Sequence, residues 1–246
     1  MSANKFGISF RQATLADVKR MVVLEKEVWG ESAADEEKIV SRIKIFPAGN
    51  IIAERDRKIV GYVSFQYVDD ITWVKNFSWS EITDNGRIAK SHKPSGEYIY
   101  GVNLSVNHSA NGIGLGTALV LQGWVDMILK NKKGSFIGSR IPNFKAYKSA
   151  HPEIDVETYI NLRRHGQPLD YELRLYGQEG LLPVKVLPNY FPDDDSLDYG
   201  VLVYRKNPFY NWPLRKFLAW AIAKSAPTFI RQNIATKKKE VRNRGI

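Results

Sequence analysis

The chain has 246 residues, of which 43% are hydrophobic and 25% charged, and it contains no cysteine. This length and composition are typical of one globular domain with a small appendage. The lack of cysteine excludes disulfides, thiolate metal sites and a cysteine nucleophile. The first residues lack the apolar core of a signal peptide, and no run of 18 apolar residues occurs. The expected location is therefore cytoplasmic.

The net charge of +10 is concentrated at the C-terminal end. From residue 207 onward nine Lys and Arg residues accompany one acid, whereas the preceding residues are nearly balanced. We therefore divide the chain into a domain over residues 1–206 and a basic tail over residues 207–246. Charge alone would suit nucleic acid, but no recognisable binding module accompanies it, so nucleic acid is not a predicted partner.

The first seventy residues predict three strands and two helices. Residues 8–13 alternate in polarity as a strand does, and Thr14–Asp17 is a helix N-cap signal. The helix that follows has an apolar face formed by Val18, Met21, Val22, Leu24, Glu25 and Val28. Residues 35–46 predict a second helix. Residues 50–54 and 59–67 predict a hairpin joined by a charged turn.

A polar insertion over residues 69–95 precedes the central segment and contains Trp73, Phe77 and Trp79. Two interpretations stay open: a functional lid, or a loop that these aromatic side chains pin to the core. Residues 98–106 then alternate as a strand. A small-residue turn follows, and a helix begins near residue 115. Glycines at this strand-to-helix junction expose main-chain N–H groups at a helix N-terminus, where an anion such as a pyrophosphate binds.

Residues 104–119, LSVNHSANGIGLGTAL, resemble the acetyl-CoA signature L-x-V-x-P-x-x-R/Q-G-x-G-x-G-x-x-L of the GNAT superfamily of acyltransferases. His108 replaces the usual proline, and Asn111 replaces Arg or Gln. The resemblance implies an α/β (α+β) fold with a mixed sheet of about seven strands flanked by helices, splayed at strands four and five. It also implies that the acyl-CoA contacts Leu104, Ser105, Val106, Asn111, Gly112, Ile113, Gly114, Leu115, Gly116 and Thr117.

The second half of the chain extends this resemblance. Residues 135–140 predict a strand, and residues 144–169 form a second, helical insertion. The segment YELRLYGQEGL over residues 171–181 resembles the family pattern R-L-Y-x-x-x-G-F, with Leu181 in place of Phe. The resemblance implies that Tyr176 is the general acid, since a phenol and an alkyl thiol have similar pKa values. The alternative is that Tyr176 is only a core residue of its helix. Residues 184–187 and 197–204 predict the last strands.

The general base is not determined by the pattern. Glu97, which precedes strand four, is a candidate, as are His92 and Asp84 in the first insertion; a chain of water molecules is another. His108 is interpreted as structural. An acidic run, Asp193–Asp195, predicts either attraction of a cationic amine or a solvated turn.

A narrower resemblance concerns two GNAT subgroups: domains fused to carbon–nitrogen hydrolases, and loading domains of polyketide synthases that decarboxylate malonyl thioester and load a carrier protein. In the loading domains a Thr and a His carry the decarboxylation. Ser139 stands at the Thr position and Tyr176 at the His position, while Phe191 replaces a supporting Arg. These departures argue against decarboxylation but not against a carrier protein as partner. Ser139 is therefore a candidate for a supporting hydroxyl.

The tail predicts an amphipathic helix over residues 213–225, because apolar residues recur at helical spacing. Three hypotheses remain for it: packing on the same or a second protomer of a homodimer, a peripheral membrane contact, or a dock for an acyl carrier protein.

The function expected from the resemblance is transfer of an acetyl group from acetyl-CoA to a primary amine by direct attack in a ternary complex. No metal is expected. One alternative is an S-acyltransferase that loads an acyl carrier protein, with or without decarboxylation of malonyl thioester. The other alternative is a non-catalytic acyl-CoA sensor.

Overall fold

A seven-stranded mixed sheet forms the centre of the protein, which we describe from a computed structural model over residues 7–110 and 114–224. The strand order is β1-β2-β3-β4-β5-β9-β8. The strands are β1 (Ile8–Gln12), β2 (Asn50–Arg55), β3 (Lys58–Val68), β4 (Tyr98–Val106), β5 (Gly134–Arg140), β8 (Leu182–Leu187) and β9 (Gly200–Lys206). A separate small hairpin joins β6 (Arg163–Arg164) to β7 (Gln167–Pro168).

Helices cover both faces of this sheet. They are α1 (Val18–Trp29), α2 (Glu36–Ile45), α3 (Trp79–Ile82), α4 (Leu115–Leu129), α5 (Phe144–Ala150), α6 (Val156–Asn161), α7 (Tyr171–Gln178) and α8, residues 215–224. Neighbouring residues of β3 show the two layers: Tyr62 packs with Met21 of α1, whereas Val63 packs with Leu119 of α4. The predicted mixed α/β fold is confirmed.

The sheet opens at the carboxyl ends of β4 and β5. These two strands are parallel and pair only between Tyr98–Gly101 and Gly134–Ile137. Beyond this pairing β4 continues to Val106 and β5 to Arg140, each held only by its other neighbour. The splay expected at strands four and five is therefore present, and it leaves main-chain groups of both strands free to face a ligand.

A β-bulge at Val102 marks the start of the splay. Gly101 is opposite Phe65 and Asn103 is opposite Ser64, so Val102 is the extra residue on β4. A bulge shifts the alternation of side chains by one position. Asn103 and Ser105 consequently face α1, while the alternating positions between and beyond them face α4.

The first insertion packs over this bulge. Trp79 Nε1 donates a hydrogen bond to the carbonyl oxygen of Val102 at 3.0 Å. Phe77 is buried against the core, whereas Trp73 is 78% exposed. Two of the three aromatic side chains therefore hold the insertion on the sheet, as the second interpretation predicted.

Several element boundaries differ from the sequence prediction by one to three residues, and the second insertion, predicted to be helical, also contains the β6–β7 hairpin. Strand β9 begins at Gly200 and not at residue 197, because Leu197 and Asp198 have φ of 49° and 60°, which a strand does not accommodate. Strand β8 begins at Leu182, two residues before the predicted start.

The described part of the predicted tail helix, α8, packs on the α4 face through Ala219, which is fully buried. Its outer side carries Phe217 and Trp220, which stack on each other at 5.7 Å between ring centroids. Within the described residues, none of the helices combines the length and the hydropathy that a bilayer span requires.

Candidate active site

A buried carboxylate organises the α1 side of the splay. Glu25 lies in the apolar face of α1 and is 1% exposed. Its Oε1 accepts hydrogen bonds from the Ser105 hydroxyl and from Asn103 Nδ2, the latter at 3.0 Å. Its Oε2 accepts from the main-chain N–H of Ala34 at 2.9 Å. The Ser105 hydroxyl also accepts from Trp29 Nε1 at 2.8 Å. This network fixes the side chains of the open half of β4.

A second charged cluster forms the β5 side. Arg140, the last residue of β5, donates to Glu172 Oε1 at 2.9 Å and to Asp193 Oδ1 at 3.3 Å. Its guanidinium lies 5.2 Å from the ring centroid of Trp29. Because Trp29 also bonds to Ser105, Arg140 connects both walls of the opening.

Aromatic side chains line the base of the opening. The hydroxyls of Tyr100 and Tyr190 are 2.7 Å apart and buried. Tyr190 crosses β5 so closely that a Cβ on Gly138 would lie 1.9 Å from the Tyr190 hydroxyl oxygen, so this position requires glycine. Phe191 makes edge contacts with Trp29 and Trp79, with ring centroids 6.4 and 5.7 Å away. The splay therefore adjoins both aromatic and charged side chains.

Tyr176 lies on α7, one helical turn after Glu172, so the two side chains share one face of that helix. Burial raises the pKa of Tyr176 well above its usual value, and the negative charge of Glu172 raises it further. The phenol is thus protonated at neutral pH and able to donate a proton. Among the described residues its hydroxyl has no hydrogen-bond acceptor. The role of general acid stays a prediction for Tyr176.

The segment predicted to bind the pyrophosphate is described in part. Gly114, at the N-cap of α4, has φ of 81°, a conformation that favours glycine. Leu115 is buried and anchors the helix, while Gly116 and Thr117 are half-buried. The N–H groups of a first helical turn have no partner within the helix, so these residues offer donors to an anion. The predicted contacts of Asn111, Gly112 and Ile113 lie outside the described residues.

The predicted Leu104–Val106 segment lies on the part of β4 that pairs with β3 but not with β5, as its role requires. The three residues differ in what their side chains do. Leu104 and Val106 pack with the α4 core, and the Ser105 hydroxyl is used by the Glu25 network. Contacts from this segment to a ligand would therefore come from the main chain.

Glu97, the predicted base, lies before the first residue of β4 and forms a surface ion pair with Lys133. Six residues separate it from Asn103, and at about 3.3 Å per strand residue this is on the order of 20 Å. His92 accepts from the N–H of Tyr67 and stacks on Phe46, and burial lowers its pKa. Both lie at the end of β4 that is remote from the splay.

The other predicted groups have identifiable partners. The buried Ser139 hydroxyl donates to the carbonyl oxygen of Arg140 at 2.8 Å. Asp84 accepts from the N–H of Lys90 at 3.1 Å in a turn. In the acidic run, Asp193 bonds to Arg140 and Asp194 pairs with Lys145. Within residues 7–110 and 114–224 no group of His, Asp or Glu side chains has the arrangement of a metal site.

Sequence reasoning did not identify Glu25 or Glu172 as site residues. The sequence did indicate Glu25, because this carboxylate lies within the apolar stripe of α1, where a charged side chain needs buried polar partners. The sequence also indicated Glu172, because it precedes Tyr176 by four residues and therefore lies on the same face of the helix.

No family model matches the chain. Two curated proteins of Bacillus subtilis are similar to it. The first, an uncharacterised N-acetyltransferase named YkwB, is 32% identical over 208 residues, which are 82% of this chain and 90% of that protein. The second, the probable hydrolase YhcX, is 28% identical over 197 residues, which are 79% of this chain but only 37% of that protein.

Two solved structures have closely similar folds. The loading GNATL domain of CurA from Lyngbya majuscula superposes with a TM-score of 0.71 at 24% identity, over 81% of this chain and 98% of that one. The GphF GNAT-like decarboxylase, solved with isobutyryl-CoA, has a TM-score of 0.71 at 21% identity, over 81% of this chain and 99% of that one.

Proposed function

Because the chain belongs to the GNAT superfamily of acyltransferases, we propose that it transfers an acetyl group from acetyl-CoA to a primary amine by direct attack in a ternary complex. The observation that carries this proposal is the splay between β4 and β5, with Tyr176 and two charged walls beside it. A splay of this kind would let an acyl donor and an acceptor approach the same carbon from opposite sides.

The donor side is assigned to main-chain groups. The first turn of α4, from Leu115 to Thr117, would hold the pyrophosphate through N–H groups, and the free edge of Leu104–Val106 would hold the pantetheine arm. An N–H of that edge would also donate to the thioester oxygen as it gains negative charge. Such contacts depend little on side-chain identity, so the replacement of Arg by Asn111 is compatible with them.

Tyr176 is assigned as the proton donor to the departing thiolate. Its raised pKa keeps it protonated until the C–S bond breaks. A thiolate generated within hydrogen-bond distance would take that proton. Phenol and thiol have close reference pKa values, so the raised pKa of Tyr176 makes this transfer less favourable than it is for a free phenol.

The test is titration of the purified full-length chain with CoA by calorimetry, followed by release of free thiol from acetyl-CoA in the presence of a panel of primary amines. We expect binding in the micromolar range and thiol release that depends on both the amine and the enzyme. Binding without turnover on any amine or carrier protein would support the acyl-CoA sensor instead. No binding at millimolar CoA would contradict both.

A second candidate is acyl transfer to the phosphopantetheine thiol of an acyl carrier protein. The match to a loading domain favours it, since that fold superposes over four-fifths of this chain. The experiment is incubation of acetyl-CoA or malonyl-CoA with the enzyme and a holo carrier protein, followed by the intact mass of the carrier. A gain of one acetyl group on the carrier, with none on amines, would establish this alternative.

A further inference from the structure

Glu172 is a partly buried carboxylate, with its side chain 15% exposed, and the protein leaves one of its oxygens unused. Its Oε1 accepts from Arg140 at 2.9 Å and lies 3.5 Å from the Tyr171 hydroxyl. Among the described residues its Oε2 has no hydrogen-bond donor. Oε2 is not one of the fully buried polar atoms that lack a partner, so it is accessible to solvent and to a ligand. Such a position is therefore a candidate for binding a ligand.

The Glu172–Arg140 pair adjoins a region suited to a cation. Trp29, Trp79 and Phe191 present aromatic rings around the opening. Ring faces attract cations, and the guanidinium of Arg140 already lies over Trp29 at 5.2 Å. Exposed ring surface beside a carboxylate is a combination that recognises an organic ammonium group.

The net charge around Glu172 also favours a cation. The charged groups around Glu172 are Arg140 on β5, Asp170 at the N-cap of α7, and Asp193 in the turn after β8. Three carboxylates thus accompany a single guanidinium. The cluster as described carries an excess of negative charge, and one added ammonium group would reduce it.

From this geometry we propose that Glu172 binds the acceptor as an ammonium ion through Oε2 and removes its proton before attack. This assignment rests on the proposed amine acetylation. Glu172 would be the proton acceptor on the α7 face on which Tyr176 is the proton donor. The favoured acceptor is a primary amine attached to an apolar or aromatic group, since three aromatic rings surround the opening.

The proton and bond changes balance as follows. Oε2 takes a proton from the ammonium group, and the resulting amine nitrogen forms a bond to the thioester carbon. The C–S bond then breaks, and the thiolate receives the phenolic proton of Tyr176. The tyrosine is restored by the remaining excess proton of the acylated nitrogen. Glu172 releases its proton to solvent, so each turnover yields an amide, free CoA and one proton.

Burial is the main reason that the pKa of Glu172 is raised, which moves it toward neutrality and improves it as a base. Its titration should therefore be visible as the acidic limb of the pH–rate profile. The limb would report a carboxyl group coupled to Arg140, Asp170 and Asp193 rather than an isolated one.

The experiment compares full-length Glu172→Gln with a matched control, Glu157→Gln, which changes an exposed glutamate on α6. For Glu172→Gln we expect kcat/KM for the amine to fall about 100-fold or more, with loss of the acidic limb and unchanged CoA affinity. The control should match the wild type. A second measurement uses Glu172→Asp, which keeps the carboxylate, and we expect it to retain the acidic limb at a lower rate.

Two results would overturn the assignment, and they differ from failure of the proposed function. If the wild type acetylates an amine and Glu172→Gln does so equally well with the same pH profile, Glu172 is not the base. If Glu172→Gln fails to fold, a Glu172→Asp enzyme without an acidic limb would contradict the assignment. If the wild type acetylates no amine at all, the proposed function itself is wrong.

Discussion

The two walls of the splay each contain a glutamate, but the two carboxylates differ in burial and in hydrogen bonding. Glu25 has both oxygens occupied, by Ser105 and Asn103 on one side and by Ala34 on the other. Glu172 has one oxygen bonded to Arg140 and the other without a donor among the described residues. The first glutamate joins α1 to the open half of β4. The second is available to a ligand.

This difference distinguishes a glutamate that stabilises the fold from a glutamate that is available for function. A carboxylate that is fully hydrogen-bonded contributes to the fold, and its removal leaves several buried donors unpaired. A carboxylate that keeps an accessible oxygen without a protein donor is free to bind a ligand. The four predictions below test the distinction, from the largest expected effect to the smallest.

Glu25→Ala should lower the free energy of unfolding by about 3–5 kcal/mol, because it leaves the donors of Ser105, Asn103 and Ala34 without their acceptor. Urea unfolding followed by tryptophan fluorescence measures this. The control is Glu27→Ala on the exposed side of α1, whose carboxylate accepts from Asn107, and its expected cost is below about 1 kcal/mol. Equal costs for the two variants would show that Glu25 is not a central support.

Tyr176→Phe should slow acyl transfer about 100-fold, since the thiolate loses its proton donor. The affinity for CoA should stay the same, because the assigned CoA contacts come from the main chain. Single-turnover kinetics and calorimetry on the same preparation separate the two quantities. Tyr147→Phe, on the second insertion, is the matched control. Undiminished transfer by Tyr176→Phe would remove the general-acid assignment.

Ser139→Ala should cost about 1 kcal/mol of stability, the value of one hydrogen bond to the carbonyl oxygen of Arg140. We expect amine acetylation to change by less than about tenfold, since the hydroxyl is bonded within the protein. Thermal unfolding and steady-state rates test this together. A larger loss with malonyl-CoA and a carrier protein would instead support Ser139 as the supporting hydroxyl of the alternative reaction.

The pH dependence of stability should distinguish Glu172 from ordinary carboxylates. Its pKa is raised in the folded state, so the folded protein binds this proton more tightly than the unfolded chain. The contribution to stability is complete below the unfolded pKa and is lost as the pH rises through the folded pKa. Glu172→Gln removes the titration, so the stability of the variant relative to the wild type should increase across that window.

The effect should be smaller than the cost of Glu25→Ala, and urea titrations at several pH values measure it. Asp17 provides an internal contrast with the opposite sign. Hydrogen bonds from Arg11 hold the pKa of Asp17 well below its usual range, so the stability that it contributes is lost as the pH falls. A relative stability that decreases with pH for Glu172→Gln would contradict the raised pKa.

Much of the fold was accessible from local patterns. Alternation over residues 98–106 predicted β4 with its observed bounds, and the glycines after it placed the start of α4 at Leu115. These features depend on residues close in sequence, where periodicity and backbone freedom decide the structure. No single segment predicted the splay. The expectation came from the resemblance to a family.

The choice among candidate carboxylates required the tertiary structure. Glu97, Glu25 and Glu172 are alike as residue types, yet one lies in a surface ion pair, one is fully bonded, and one retains an unused oxygen. Their partners come from remote parts of the chain: 80 residues separate Glu25 from Ser105, and 32 separate Arg140 from Glu172. The sequence by itself predicted the strands of the central sheet, most of the helices and the glycine-rich start of α4. The packing of distant elements decided which carboxylate faces the opening, because burial and hydrogen bonding are properties of assembled partners rather than of local sequence.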